Sequence, residues 1–450
     1  MSETHEATVS ATVIETPETP ETPDPPTPDA ATKSEQAPQQ KQRRSGAHLF
    51  EIDVVRSVTA ICVIGVHAVS FTIVFTPPGL GNLAQNALIS ALHFTREIFL
   101  SITAFVMVYG YANRPLSFLT FWRKRGLGVL LPYLIWSVFY EVVNKPPLPP
   151  GPWLLRMLSD IFTGNASLQL YFILLSIEFY LILPWFLRFI VWAGKHPWRT
   201  LIISFGVQVA LLTIDYNFVQ TGPLSTTPIV NYIGQNESRW LPVYQFYMVI
   251  GGLAALYMPH MRAFMLRHGR WTIPALALGL TLLWGNLVYQ AYITGQGIEY
   301  GISVFQPAMV IYAFAITAFL YWVAYRWAIS CAPHPPHGYR FWGLLSDVSF
   351  GIYLVHAFVL VMIMQHLVPV IPIGWLEPLR VLIVWGLGAV ITVAICVVML
   401  YIPLLSRLIG RPCALRRDAG VGRWLDQRAA GVLRWLGRAQ GHQRHMEASQ

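Results

Sequence analysis

The sequence predicts an all-α fold: a polytopic transmembrane helical bundle of about ten spans with both termini cytoplasmic. Three observations predict it. Hydrophobic residues make up 54% of the 450 and charged residues only 12%, and mean hydropathy is +0.48, a composition suited to lipid as the solvent. Apolar stretches near the ~20 residues that a helical crossing needs recur along the chain. Basic residues fall in alternate loops. Lys41, Arg43 and Arg44 precede the first stretch, and Arg114, Arg123, Lys124 and Arg125 follow the second. Arg188, Lys195 and Arg199 surround the fourth loop, Arg262, Arg267 and Arg270 follow the sixth span, and Arg326 and Arg340 flank the loop after the eighth. The intervening loops hold almost none apart from Lys145, Arg156, Arg239 and Arg380. Positive-inside topology explains that alternation and the net charge of +9, so no nucleic-acid partner is expected.

In order along the chain, residues 1–47 form an acidic Pro/Thr-rich segment (ETPETPETPDPPTPD) with too little apolar surface to pack. It is expected to be a disordered cytoplasmic tail, without a cleavable signal peptide. Residues 48–406 are the membrane domain. Its spans fall at about 51–75, 87–111, 126–144, 168–191, 199–215, 241–258, 271–293, 303–327, 343–367 and 379–406 by length and apolarity. Between Lys145 and Ser167, KPPLPPGP reads as stiff polyproline that cannot be helical. The polar loop from Asp215 to Trp240 is placed to cap an external cavity. Residues 407–450 form a basic tail, in which Gly420–Leu436 reads as an amphipathic interfacial helix. Cys62, Cys331, Cys396 and Cys413 lack metal-ligand spacing and read as packing thiols, so neither a metal nor a disulfide framework is expected.

The first span carries the sharpest functional signal. Arg56 and His67 are eleven positions apart. At 3.6 residues per turn they share a helix face, with His67 about 16 Å deeper. Ionisable groups at that depth are costly and usually functional. The plainer reading has Arg56 snorkelling to the headgroups and His67 bonding a neighbouring helix. The second span holds His93, Arg96 and Glu97, and the fourth holds Glu178. In the ninth, Ser349, Tyr353 and His356 share a face. Depth along the spans brings His67, Glu178 and His356 near the midplane, with Arg96 and Glu97 nearer the outer side. Such groups serve general acid–base chemistry or a proton relay, and the residues alone favour neither. Structural roles compete: an ion pair of Glu178 with Arg96, and an interhelical bond from His356. In FWRKRGLGVLLPY, Arg123 and Arg125 lie on the same side as Arg56, where guanidinium forks suit phosphates.

Together these segments resemble the acyltransferase family 3 proteins, integral-membrane enzymes that acylate cell-envelope sugars and other molecules. The resemblance runs from Phe50 to about Arg407. It rests on Arg56–His67, Phe99-Leu100-Ser101, FWRKRGLGVLLPYLIWSVFY, LYFILLSIEFYLILP around Glu178, and SFGIYLVH ending at His356. The second-span and YLIWSVFY segments look most like the exopolysaccharide-modifying branch. The resemblance implies transfer of an acyl group, commonly acetyl, from cytoplasmic acyl-CoA to an acceptor hydroxyl at the outer side. It implies no permanently bound cofactor. Carried over, His67 is catalytic, with Glu178 or His356 orienting it or the sugar. Arg56, Arg123 and Arg125 hold the donor, while Arg96, Glu97 and Tyr353 bind substrate. Ala104 stands where the family often has glycine. No appended extracytoplasmic hydrolase-like domain is expected, so the membrane domain alone is expected to handle the acceptor.

The expected activity is O-acylation of a saccharide or glycolipid acceptor in a bacterial cytoplasmic membrane. The alternative is a transporter or flippase for a polysaccharide intermediate. Against it, the sequence shows no inverted repeat and no broken helix pair of the transporter kind. A sensor of an envelope ligand would not need a cytoplasmic arginine cluster aligned with an intramembrane histidine.

Overall fold

The computed structural model describes residues 48–112, 114, 116–220, 226–370 and 377–414; the acidic tail and the segment Gly420–Leu436 lie outside them. Among the described residues the chain is helical and has no strand. Nine helical segments among the described residues are long and apolar enough to cross a membrane, and the tenth expected span is a shorter apolar segment, Leu241–Leu256.

Helix α1 (Phe50–Thr72) is the centre of the bundle. Glu51 and Asp53 sit in its first turn, where the helix dipole favours anions. Glu51 is buried and held by Arg262, whose Nε donates to Oε1 over 3.1 Å. Ile52 and Val55 join one apolar cluster while Ala60, Ile64 and Ala68 join another. That two-sided burial is why α1 is apolar nearly all round.

The second expected span is two helices, α2 (Leu80–Leu92) and α3 (Thr95–Tyr111), broken at His93 and Phe94. Leu80–Tyr111 is nevertheless long and apolar enough to cross as one segment. A break frees backbone carbonyls that lipid cannot satisfy. Here Tyr312 donates its hydroxyl to the Ala91 carbonyl over 2.6 Å.

The short helix α4 (Phe118–Phe121) and the membrane-length α5 (Leu127–Asn144) follow, joined by a π-helical turn, Trp122–Gly126. Next, α6 (Pro150–Thr163) corrects the reading of KPPLPPGP. Only Lys145–Pro149 precedes the helix; Pro150 and Pro152 form its first turn, where no N–H needs a partner. Lys145 and Arg156 are not stray loop charges. Arg156 Nε donates to Glu141 over 2.5 Å, and Lys145 pairs with Glu141 at 3.3 Å and with Asp160. That network clamps α6 onto the end of α5.

The remaining elements are α7 (Leu170–Ala193), α8 (Pro197–Ile214), α9 (Pro228–Asn236), α10 (Gln245–Leu256), α11 (Met258–His268), α12 (Thr272–Val288), α13 (Ile298–Gly301), α14 (Pro307–Ile329), α15 (Tyr339–His366), α16 (Glu377–Tyr401) and α17 (Pro403–Leu408). Helix α1 packs on α15, α14 and α16, and α3 packs on α10. The packed body continues past Arg407. Trp136 donates to the Leu408 carbonyl over 3.0 Å, and Arg411 Nε donates to the Asp347 carbonyl over 2.8 Å.

Candidate active site

Two polar-lined cavities enter the bundle and meet at one residue. The near cavity, on the side where α1 begins, measures about 200 Å³. The far cavity measures about 400 Å³. Tyr353 lines both, and it is the one residue they share.

Helix α1 serves both cavities. Arg56 lines the near one and His67 the far one. The eleven-residue spacing places them about 16 Å apart along the axis. Arg125, from the π-helical turn before α5, and Arg411, from beyond α17, line the near cavity with Arg56. Three guanidinium groups around one opening suit a polyanion. Arg123 is exposed and lines neither cavity. Arg411 was hidden from sequence reading because it follows the last span and looked like tail.

In the far cavity, His67 is half-buried and makes no hydrogen bond among the described residues. Its ring stacks on His356 at 5.1 Å between centroids. His356 is fully buried and stands behind His67, not in the cavity lining. The Nδ1 of His356 lies 3.0 Å from the Ile352 carbonyl, so it carries the proton and leaves Nε2 as an acceptor. That Nε2 is buried without a hydrogen-bond partner.

Arg96 enters from the first turn of α3, just past the break. Its guanidinium donates to the Tyr171 hydroxyl over 3.2 Å and lies 5.5 Å from the Phe305 ring centroid. Two of its nitrogens, Nε and one terminal nitrogen, have no hydrogen-bond partner. The nearest carboxylate is Glu97, at 3.9 Å, which lies buried behind Arg96. The suggested Glu178–Arg96 pair does not form: Glu178 is half-buried, makes no hydrogen bond or ion pair among the described residues, and lines neither cavity.

The 215–240 loop does reach the far cavity. Gln220 and Glu237 line it, with exposed Glu299 at its rim. Gln220 Nε2 donates to Asp215 over 2.7 Å and to Glu237 over 3.3 Å. Burial and the neighbouring Asp215 carboxyl push Glu237 up to about 9, against the pull of Arg96. Glu237 is thus largely protonated at neutral pH, and the pair offers the cavity both a donor and an acceptor. No helical period points to these loop residues.

The arrangement can hold a polyanion at one end and a hydroxyl-bearing group beside a histidine at the other. A family model described as an acyltransferase domain matches residues 49–401. No curated protein and no solved structure matches the chain.

Proposed function

The chain belongs to the family of that acyltransferase domain, and from this premise we propose that it moves a short acyl group, acetyl by preference, from cytoplasmic acyl-CoA to a hydroxyl of a cell-envelope saccharide. The observation that carries the reading is the position of Arg56 and His67 on one helix, each in its own cavity, with Tyr353 between. Arg56, Arg125 and Arg411 bind the donor phosphates at the near cavity, which faces the cytoplasm. The thioester end of the pantetheine arm reaches toward Tyr353. In the far cavity Arg96, Gln220 and Glu237 orient the acceptor.

In the transfer step His67 takes the proton from the acceptor hydroxyl as its oxygen attacks the thioester carbonyl. The C–O bond forms and the C–S bond breaks. The electron pair leaves with sulfur, and the proton held by His67 returns to it as CoA thiol. His356 orients the imidazole by stacking. Glu178 lines neither cavity, so this reading gives it no step.

Transport of a saccharide is the second reading. The break between α2 and α3 favours it, because broken helices often build transporter sites. One experiment separates the two. Membrane vesicles from cells that naturally carry this chain are supplied with labelled acetyl-CoA, and base-labile acetate on the envelope saccharide is measured. Wild-type vesicles are expected to incorporate label. Those with His67→Ala should lose at least about a hundredfold, the usual scale of a general base, while protein in the membrane is unchanged. Full incorporation by His67→Ala overturns the role of His67. No CoA-dependent incorporation by wild type leaves transport as the better reading.

A further inference from the structure

Three aromatic rings cluster where the near cavity reaches the residue it shares with the far one. Phe99 comes from α3, Phe172 from α7 and Tyr353 from α15. Centroids lie 6.2 Å apart for Phe99–Phe172, 5.7 Å for Phe172–Tyr353 and 6.3 Å for Phe99–Tyr353. Phe99 and Phe172 line the near cavity only, and Tyr353 lines both. Tyr353 also lies 5.8 Å from the His356 ring, which stacks on His67. The cluster therefore stands between the arginines and the histidine.

The three rings are not held alike. The Tyr353 hydroxyl donates to the Gln169 carbonyl over 2.6 Å, and Gln169 is itself a buried lining residue of the far cavity. That bond pins the Tyr353 ring at the seam. Phe99 and Phe172 have no polar atom and are positioned by packing alone. An acyl thioester whose carbonyl is to be attacked beside His67 has to place that carbonyl at this seam. Its alkyl substituent then lies against the rings. A thin methyl group fits among them, whereas each added methylene must displace ring atoms in a packed aromatic cluster.

We propose that Phe99, Phe172 and Tyr353 form the acyl-selecting constriction of this protein, with Tyr353 as its fixed side and the two phenylalanines as its size limit. This rests on the acyl-transfer reading above. The same cluster keeps water in the near cavity away from the carbonyl, so the thioester is spent on the acceptor and not on hydrolysis. Selection arises because a filled aromatic wall rejects extra methylenes, each worth about 10–200-fold in a closed pocket.

The test compares acetyl-CoA with butyryl-CoA in the same vesicles, reading base-labile acetate and butyrate on the envelope saccharide. Wild type is expected to prefer acetyl by about a hundredfold or more, since butyryl carries two added methylenes at about tenfold or more each. Phe172→Ala and Phe99→Ala should each lower that preference by about tenfold, with greater acceptor-independent release of CoA thiol. Tyr353→Phe keeps the ring but removes the bond that pins it, and should lower the preference less than either alanine change. Where an alanine variant does not accumulate, Phe172→Leu or Phe99→Leu is read by the same ratio. A change of less than about threefold (under a kcal/mol) in every accumulating phenylalanine variant overturns the constriction, while wild-type acetyl transfer in the same vesicles leaves the acyl-transfer reading standing. Absence of wild-type transfer from either thioester takes down both.

Discussion

The charge of Glu237 depends on the fold. Its carboxyl is pushed up to about 9 by burial and by Asp215. Gln220 faces it from the same loop, Arg96 from α3, and Glu299 from the rim. A carboxyl raised in the native state holds its proton longer than in the unfolded chain. Its contribution to stability is complete below the ordinary carboxylate range and is lost as pH climbs through about 9. Detergent-solubilised wild type should therefore lose melting temperature between about pH 5 and pH 9. Glu237→Gln, which cannot ionise, should flatten that slope; parallel slopes would remove Glu237 as the cause. The arginines give a second comparison. Arg411 lines the near cavity and Arg123 does not. Arg411→Ala should raise the KM for acetyl-CoA about tenfold, the loss expected of one charge-assisted phosphate contact, and Arg123→Ala should leave it unchanged. Equal effects would mean that bulk positive charge, not the cavity, captures the donor.

At the level of elements, α3 and α10 pack backbone to backbone at Gly251. A Cβ built on Gly251 would stand 2.1 Å from the Ser101 carbonyl oxygen, which is backbone and cannot swing aside. Gly251→Ala should cost about 1–3 kcal/mol by overpacking, read as a lower melting temperature and lower yield in detergent. Unchanged stability would show that the two helices separate freely. Which elements could be read from sequence follows from how local their causes are. The Arg56–His67 relation was legible because helix geometry alone fixes it within one element. The break at His93 was not, since HFTRE holds neither proline nor glycine. Its freed carbonyl at Ala91 is satisfied by Tyr312, far along the chain. The start of α6 was misread because the prohibition on proline applies to helix interiors and not to the first turn. Arg411 and Glu237 escape sequence reading for one reason: Arg411 sits in irregular chain and Glu237 in a three-residue 3-10 turn, where tertiary packing alone decides what a side chain faces.

At the level of the whole molecule, the distribution of positive charge is the basis on which an orientation is proposed. At the far end Lys145 and Arg156 are neutralised by Glu141 and Asp160, and Arg380 is buried. At the near end Arg114, Arg123, Arg125 and Arg267 are exposed. Exposed cations concentrate at that end, and by the positive-inside rule we propose that it faces the cytoplasm. The orientation has a chemical consequence. CoA carries several phosphate charges and cannot cross the bilayer core, whereas an acetyl group is small and neutral. A near cavity facing the cytoplasm lets the donor stay on its own side while only the acyl group passes Tyr353. A thiol-accessibility experiment tests this. With Cys62, Cys331, Cys396 and Cys413 replaced by serine, Arg123→Cys and Glu299→Cys each add one exposed thiol, one at each end. A membrane-impermeant maleimide should label Glu299→Cys in intact cells and spare Arg123→Cys, with the pattern reversed in inside-out vesicles. If Arg123→Cys is labelled from outside, the arginine-lined cavity faces away from the cell's acyl-CoA. The donor assignments of Arg56, Arg125 and Arg411 then fall together, because phosphate recognition is useful only on the side where the phosphates are.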